Sequence, residues 1–465
     1  MLRLSKMGSV GKVVKNILIL YPSLIIIFIL SVFIDFLWLD YLVGILAFAS
    51  LLTAARYAKG LYFYSGLLFS FIGTGLFLVQ KLPWHTYFLQ FDSMLGVMSL
   101  FVVLPFLNTI IRVGHYDTNL NALLRHDIHT LDKLYRRSFL VSHMLGLFLN
   151  IATIPLVKNS LQQSLKKLPK ETAHSFLAGS VLRGYALCLA WSPLEVMVIA
   201  ALDMTGKAYY EVVVPMIMIV VLFAAIDYTI SFFKYRTYGL HIADSLQSAS
   251  NVRRKMIEMA GMLLIFIFLT SVFQHVFQKG YLLSVVLAIL PISCLWALFI
   301  KKPKRYVRVA FPAWKERTSA LSNYFFMFLS AGLFVNMLSA SGALSIVQDG
   351  FQLVSGQPFL LYLMIGLFFF ATSLTGFHPL VSITLLGELL RPILPEVSSV
   401  PLTIVLIVCS LATVMYSPFN LSVSILSELI RVNPFHIVRW NVRYALLYML
   451  SSIIIAYSIH IFLTF

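Results

Sequence analysis

The chain has 465 residues, of which 60% are hydrophobic and 11% are charged, with a mean hydropathy of +0.90. This composition excludes a water-soluble globular protein and indicates an all-α polytopic membrane protein. The formal net charge of +17 does not indicate a nucleic-acid partner, because the basic residues lie in short connections between apolar runs, where the positive-inside rule accounts for them.

The first four predicted helices agree with a cytoplasmic N-terminus. The run Ile17–Ile34 is long enough to cross a bilayer and precedes no small-residue cleavage site, so we expect a retained helix rather than a signal peptide. The second helix returns to Arg56 and Lys59, the third (61–80) leads out, and the fourth (94–112) comes back to a basic stretch.

The segment 138–161 does not fit a single crossing, because basic residues flank both of its ends. They are Arg136, Arg137, Lys158, Lys166, Lys167 and Lys170. A single crossing would leave one of these clusters outside, against the positive-inside rule. We therefore predict a re-entrant hairpin that opens to the cytoplasm, with its tip near Asn150.

Helices 172–202 and 208–233 then run out and back, and two more helices connect the two most basic stretches, 234–255 and 301–317. After helix 319–340, the segment 357–390 is flanked by Asp349, Glu388 and Glu396 and almost no Lys or Arg. It is predicted to be a second hairpin, which opens to the outside. Helix 401–430 returns, and helix 443–463 ends outside.

This topology comprises 11 transmembrane helices and two re-entrant hairpins in the cytoplasmic membrane. Of the 35 Lys and Arg residues, four lie outside and Arg183 lies within a helix, which leaves 30 in the cytoplasm. The four outside are Lys81, Lys207, Lys279 and Arg391.

The two halves of the chain carry matching motifs in the same order. Residues 155–157 and 379–381 both read Pro-Leu-Val, and Ser192-Pro193 is matched by Ser417-Pro418. The two prolines are 38 residues apart in the first half and 39 in the second. With hairpins of opposite direction, the motifs predict an inverted repeat of an elevator-type transporter, with its site near the bilayer midplane.

The repeat predicts a division into four segments. Residues 1–93 form N-terminal helices that are mainly scaffold, and 94–233 form the first repeat. Residues 234–318 hold basic cytoplasmic loops and scaffold helices, and 319–465 form the second repeat.

Each Ser-Pro pair is predicted to start a helix inside an apolar run, because Ser caps unpaired amides and Pro suits the first helical position. Pro155 and Pro379 suit the first turns of the returning hairpin arms. Helix amino ends attract anions, so we expect an anion site there. The candidate substrate or ion ligands are Asn150, Thr153, Ser192, Pro193, Ser373, Thr375, His378, Ser417, Pro418 and Asn420. We assign no catalytic residue, no metal site and no cofactor.

At these motifs the chain resembles the divalent anion:sodium symporter family within the ion transporter superfamily, over about residues 40–465. The family carries Ser-Asn-Thr at each hairpin tip. Here Leu149-Asn150-Ile151 keeps the Asn, and Ser373-Leu374-Thr375 keeps the flanking pair. The resemblance implies a homodimeric elevator carrier and Na+ as a coupling ion.

Several candidate residues admit two interpretations. Glu195 is either a proton carrier or the last member of a capping box, Ser192-Pro193-Leu194-Glu195, and His378 either binds an anion or packs the tip. Asn150 and Asn420 are either ligands or local turn formers. For Arg183 and Asp227 we expect an ion pair or snorkelling rather than substrate contact, and His143 is expected to be structural.

The predicted function is secondary transport of a small anion, an organic carboxylate or similar, coupled to Na+ or H+. The alternatives are a cation/proton antiporter or an amphiphile or drug exporter of the same fold, and a lipid-handling membrane protein or membrane enzyme. An antiporter would need a carboxylate pair at the site, where the sequence supplies Glu195 alone. No nucleotide-binding loop is present, which argues against ATP-driven transport.

Overall fold

The computed structural model describes residues 2–122, 124, 128–166, 168–239, 249–397 and 399–464, without the side chains of 2–15, 122, 249–252 and 464. These residues form helices and no strand beyond an isolated bridge between Thr130 and Gly239. The helices are α1 (Leu2–Phe33), α2 (Leu37–Ala55), α3 (Gly60–Val79), α4 (Leu95–Val113), α5 (Tyr116–Ala122), α6 (Leu131–Leu149), α7 (Thr153–Leu161), α8 (Lys170–Leu189), α9 (Val196–Thr205), α10 (Tyr209–Tyr235), α11 (Ala249–Phe277), α12 (Tyr281–Phe299), α13 (Pro303–Ser319), α14 (Ser322–Ala340), α15 (Ser345–Leu353), α16 (Pro358–Leu374), α17 (Pro379–Leu390), α18 (Leu394–Val397), α19 (Val400–Tyr416), α20 (Leu421–Ile430) and α21 (Pro434–Thr464).

Within the described residues, 11 helical segments are long and apolar enough to cross a membrane, so the prediction of an all-α polytopic membrane protein is confirmed. These 11 segments are not all the same as the 11 transmembrane helices predicted from the sequence. Length and hydropathy select Leu131–Leu161, predicted as a hairpin, and do not select α8. The reason is composition, since α8 contains Arg183, His174 and several Ser, Thr and Gly residues among its apolar ones.

Three helical elements extend or replace predicted segments. The basic stretch 301–317, predicted as a loop, contains α13, and a 3-10 helix spans Trp84–Phe91. The last helix begins at Pro434 rather than at 443, because the Asn433 side chain accepts a hydrogen bond from the Phe435 amide at 2.9 Å and Pro occupies the first helical position.

The chain divides into two compact units. The first comprises Met1–Val113 and Val272–Asp349, and the second comprises Gly114–Ser271 and Gly350–Phe465. The predicted segments follow the sequence repeat whereas the units follow packing, so that residues 94–113 and 319–349 belong to the first unit.

In the first unit, α14 packs against α2 and α3, and α4 packs against α12 and α13. The contact of α3 with α14 is close because Gly73 of α3 has no side chain. A Cβ atom there would lie 3.1 Å from the Phe334 backbone nitrogen. Small residues at such contacts let membrane helices approach and gain van der Waals energy.

In the second unit, α19 is the central helix. Its residues from Pro401 to Tyr416 are all buried, and it packs against α8, α9, α16 and α21. A helix that is buried on every side needs apolar residues on all of its faces, and the sequence of 400–416 has them. The predicted hairpins and broken helices all belong to this unit.

Candidate functional site

The first predicted hairpin breaks at its predicted tip. Helix α6 ends at Leu149, and Asn150 takes a positive φ of 49° before a single 3-10 turn leads into α7. The Tyr185 hydroxyl of α8 donates a hydrogen bond to Oδ1 of Asn150. The side-chain oxygen of Asn150 is therefore held by a neighbouring helix. That the two arms double back stays a prediction.

Thr153, the first residue of α7, is fully buried, and its Oγ1 has no hydrogen-bond partner among the described residues. Pro155 lies in the first turn of α7, as predicted, where its missing N–H costs nothing. A buried hydroxyl without a partner is energetically costly, so it is a natural ligand position.

The first broken helix is interrupted at the predicted motif but restarts later than predicted. The prediction that Pro193 is the first helical residue after a Ser192 cap is wrong, since α9 begins at Val196 and Glu195 is its N-cap. The Glu195 amide bonds to the Ser192 carbonyl at 3.2 Å, which makes a tight turn before the helix. The Ser192 hydroxyl accepts only a long bond, 3.4 Å, from the Leu194 amide.

Glu195 does not complete the predicted capping box. It is 8% exposed, it makes no ion pair among the described residues, and its carboxylate lies near the Val196 and Met197 amides without forming a capping hydrogen bond. At the amino end of α9 the helix dipole favours the ionised form of this carboxyl group, and burial opposes it. Its role as a proton carrier stays a prediction.

His143 and Trp191 attach this interruption to α6. The Trp191 Nε1–H donates to Nε2 of His143 at 3.0 Å, and the Tyr209 hydroxyl donates to the Trp191 carbonyl. The two rings are also stacked, with centroids 6.0 Å apart. The contacts agree with the expected structural role of His143, because Nε2 is occupied as an acceptor.

The second predicted hairpin breaks between α16 and α17. Gly376 supplies a φ of +91° in the connection, which a residue with a side chain rarely adopts. His378 is the N-cap of α17, and its Nδ1 accepts a hydrogen bond from the Leu380 amide at 3.2 Å. Pro379 occupies the first helical position, as predicted. The His378 side chain therefore has a capping role, and its role as an anion ligand stays a prediction.

The second broken helix is joined to this tip. The Ser417 hydroxyl donates to the Ser373 carbonyl at 2.7 Å, and the hydroxyls of Ser373 and Tyr416 lie 3.1 Å apart. Both serines are buried. Thr375 is exposed and bonds to carbonyls of its own helix, so it takes no part in this contact.

Asn420, rather than Ser417, caps the second half-helix. Its Oδ1 accepts from the Ser422 amide at 3.1 Å and from the Ser422 hydroxyl at 2.8 Å. Helix α20 begins at Leu421, so the prediction that Pro418 is its first residue is wrong. The local turn bonding considered for Asn420 is therefore present, and it occupies the oxygen of the amide.

The helices that follow the four predicted interruptions pack against one another in pairs. Helix α17 contacts α9, and α7 contacts α20. The second helix of each predicted hairpin thus lies against the second half of the broken helix from the other half of the chain. Helix α19 contacts both α8 and α9, and Thr403 and Thr205 form a 2.9 Å hydrogen bond there. Among the described residues, however, no hydrogen bond joins Asn150 or Ser192 to Ser373 or Ser417.

Arg183 is engaged in a buried network in the same unit. Its Nη1 donates to Oδ1 of Asp227 at 2.6 Å, its Nε donates to Asn441 at 2.9 Å and its Nη2 donates to the Trp440 carbonyl at 2.9 Å. The Tyr135 hydroxyl donates to the other Asp227 oxygen at 2.9 Å. The expected ion pair is confirmed, and its contacts join α6, α8, α10 and α21.

Three partners of the candidate residues did not emerge from the sequence, namely Tyr185, Tyr416 and Ser422. Tyr416 precedes Ser417 directly, but Tyr185 precedes Ser192 by seven residues. Tyrosine is frequent here, with 22 in the chain, so residue type alone does not single out these positions. Within the described residues no three His, Cys, Asp or Glu side chains form a metal-binding group.

Ser417→Ala is expected to destabilise the protein by about 1–3 kcal/mol, because it leaves the buried Ser373 carbonyl without its side-chain donor. The measurement is the free energy of unfolding of purified protein in mixed micelles. Thr375→Ala is the matched control, since its exposed hydroxyl bonds only to its own helix. Equal effects of the two substitutions would contradict a specific role for the Ser417 contact.

No family model and no curated protein matches the chain. The chain is similar to the solved structure of the YdaH transporter of Alcanivorax borkumensis, at 14% identity and a TM-score of 0.56, over 84% of this chain and 97% of that one. It is also similar to MtrF of Neisseria gonorrhoeae, described as one of a class of antimetabolite efflux pumps, at 13% identity and a TM-score of 0.52, over 79% and 81%. At these identities the likeness concerns the fold alone: the chain is a multi-pass membrane protein with the fold of polytopic transporters.

Proposed function

We propose that the protein is a secondary active transporter that moves a small anion, an organic carboxylate or a similar molecule, across the cytoplasmic membrane. The reciprocal packing of α7 with α20 and of α17 with α9 carries this proposal. It gathers four helices that begin at interruptions into one compact unit. Discontinuous helices at internal repeats are how many transporters build a substrate site.

The chemistry of the interruptions favours an anion. Helices α7, α9, α17 and α20 each begin with amides that carry partial positive charge. The candidate side chains around them are hydroxyls and amides, which bind an anion without the cost of burying an opposing charge. Arg183 supplies no additional charge, since Asp227 neutralises it.

Coupling to H+ would use Glu195, which is buried without an ion pair among the described residues. Coupling to Na+ would use oxygen ligands, which hard cations prefer. The unpartnered Oγ1 of Thr153 is an oxygen of the kind that such a site needs.

The resemblance to the divalent anion:sodium symporters extends the proposal to an elevator mechanism in a homodimer. In such a mechanism the hairpins and broken helices move as one body, and their presence in one compact unit supports this. The charge distribution supports a cytoplasmic N-terminus, an external C-terminus and an inverted relation of the two repeats.

The alternative is a proton-coupled exporter of amphiphiles or drugs. Two observations favour it: the unpaired carboxylate of Glu195 in a broken helix, and the similarity in fold to MtrF, described as an antimetabolite efflux pump. An exporter would bind apolar molecules as well as anions, which separates the two proposals experimentally.

The test is the thermal stability of the purified protein with a panel of candidate anions, with and without Na+ and at two pH values. A substrate at 100 times its dissociation constant stabilises the native state by about 2.7 kcal/mol. We expect stabilisation by a subset of anions that depends on Na+ or on pH. Stabilisation by cations, neutral amphiphiles or lipids alone would refute the anion carrier.

Two substitutions connect this response to the site. Asn420→Ser keeps a capping oxygen, and Asn150→Gly tolerates the positive φ, so both remove an amide with limited loss of stability. We expect both to abolish the response to the anion. Asn159→Ser is the matched control, because Asn159 is exposed on α7 in the same hairpin segment.

A further inference from the structure

Helix α13 connects α12 and α14 in the first unit, and both of those helices are long and apolar enough to cross a membrane. Six of its 17 residues are charged, namely Lys304, Arg305, Arg308, Lys315, Glu316 and Arg317. A helix of this composition is too costly to bury in hydrocarbon, so α13 lies at a membrane surface.

One side of α13 is fixed against the protein. Tyr306 and Ala310 are buried, and the Tyr306 hydroxyl donates to the Phe106 carbonyl of α4 at 3.2 Å. The Trp314 ring stacks on the Phe106 ring, with centroids 6.0 Å apart. The remaining faces of α13 are therefore held in a constant orientation relative to α4.

Five of the exposed side chains of α13 form two adjoining stripes on one face of the helix. At about 100° per residue, Lys304, Arg308 and Lys315 share one stripe, and Val307 and Phe311 lie directly beside it. Val307 is 64% exposed and Phe311 is 51% exposed. The Nζ atom of Lys315 lies 4.6 Å from the centroid of the Phe311 ring, so the two stripes are in contact.

We propose that this face of α13 binds phospholipids with anionic head groups. The basic stripe pairs with the head-group phosphates, and Val307 and Phe311 contact the upper parts of the acyl chains. The occupant is a lipid rather than an acidic protein or a nucleic acid, because the apolar stripe lies beside the charges and the two neighbouring helices are membrane-spanning. This assignment does not depend on the transported substrate.

The test counts lipids retained by the detergent-purified full-length protein in native mass spectrometry, with phosphatidylglycerol and phosphatidylcholine supplied in equal amounts. The wild type is expected to retain more phosphatidylglycerol than phosphatidylcholine. In the triple variant K304Q/R308Q/K315Q the ratio of the two retained lipids is expected to fall by about tenfold or more. Val307→Ser is expected to weaken retention of both lipids, because Val307 contributes apolar contact rather than charge.

The matched control is K81Q/K207Q/K279Q, which removes the same charge from residues predicted on the opposite face of the membrane. Its preference for phosphatidylglycerol is expected to equal that of the wild type. An equal loss in both triple variants would overturn the proposal in favour of non-specific attraction. Unchanged retention in K304Q/R308Q/K315Q would overturn it as well, and retention insensitive to Val307→Ser would favour an acidic soluble partner instead.

Discussion

Arg183→Met is expected to destabilise the protein by about 3–5 kcal/mol, because it leaves the carboxylate of Asp227 charged, buried and without its counter-ion. The Asp227 side chain is inaccessible to solvent, and that of Arg183 is 12% exposed. The substitution also removes the two hydrogen bonds that Arg183 donates to Asn441 and to the Trp440 carbonyl. The attachment of α8 to α21 is then weaker, although the bond from Asn441 to the Ala178 carbonyl and the packing contacts of the two helices remain. The measurement is the free energy of unfolding by SDS in mixed micelles.

Two further variants make this prediction specific. The double variant R183M/D227N is expected to lose less than the sum of the two single losses, because no uncompensated charge remains. Arg254→Met is the control, since Arg254 is 79% exposed and its pair with Glu258 spans one helical turn at 3.0 Å. Such exposed pairs contribute about 0.3–0.5 kcal/mol. Additive losses in the double variant would show that the pair is not coupled.

Gly184→Ala is expected to cost about 2–3 kcal/mol, although the same substitution usually stabilises a helix. A Cβ atom at residue 184 would lie 2.6 Å from the Phe139 carbonyl oxygen and 3.1 Å from its Cα atom. Because these are backbone atoms, no rotamer change relieves the overlap, and α6 and α8 must move apart. The lost packing extends to the Tyr185 contact with Asn150, so we also expect a weaker thermal response to the anion proposed as substrate.

Gly261→Ala is the matched control for this prediction. Gly261 lies inside α11 of the same unit, and a Cβ atom there would have no neighbour within 4 Å. We expect it to be stabilising by about 0.5–1 kcal/mol, because alanine loses less backbone entropy than glycine. A neutral or stabilising Gly184→Ala would show that α6 and α8 are not in the close contact described.

Much of the candidate site follows from the order of residues along the chain. The interruptions at Asn150, Ser192, Ser373 and Ser417 are visible because polar residues and prolines stand inside apolar runs. The helix starts at Val196 and Leu421 could not be read in the same way. A Ser-Pro pair suits both a helix start and a turn that precedes one, and longer-range contacts select the second.

Helix α13 shows the opposite difficulty. The stretch 301–317 reads as a basic loop because eight of its 17 residues are charged, seven of them Lys or Arg. The side of the helix that faces the protein is defined by tertiary contacts: Tyr306 and Ala310 are buried, and Tyr306 bonds to α4. The first turn carries Pro303 at a position that suits a helix start, which is the local signal that was available.

Composition and hydrophobic patterning are enough to predict a lipid environment, a helical protein and the positions of the interruptions, because lipid requires long apolar runs with internally paired backbone and tolerates breaks only where protein surrounds them. Which interruptions meet depends on how the helices pack. The Ser417 hydroxyl reaches the Ser373 carbonyl, Tyr185 reaches Asn150, α7 packs on α20, and α17 packs on α9. These partners are 35 or more residues apart in the chain, and no local pattern encodes a contact at that separation. Such long-range contacts are set by the packing of whole helices, in which glycines such as Gly184 determine how closely two backbones approach.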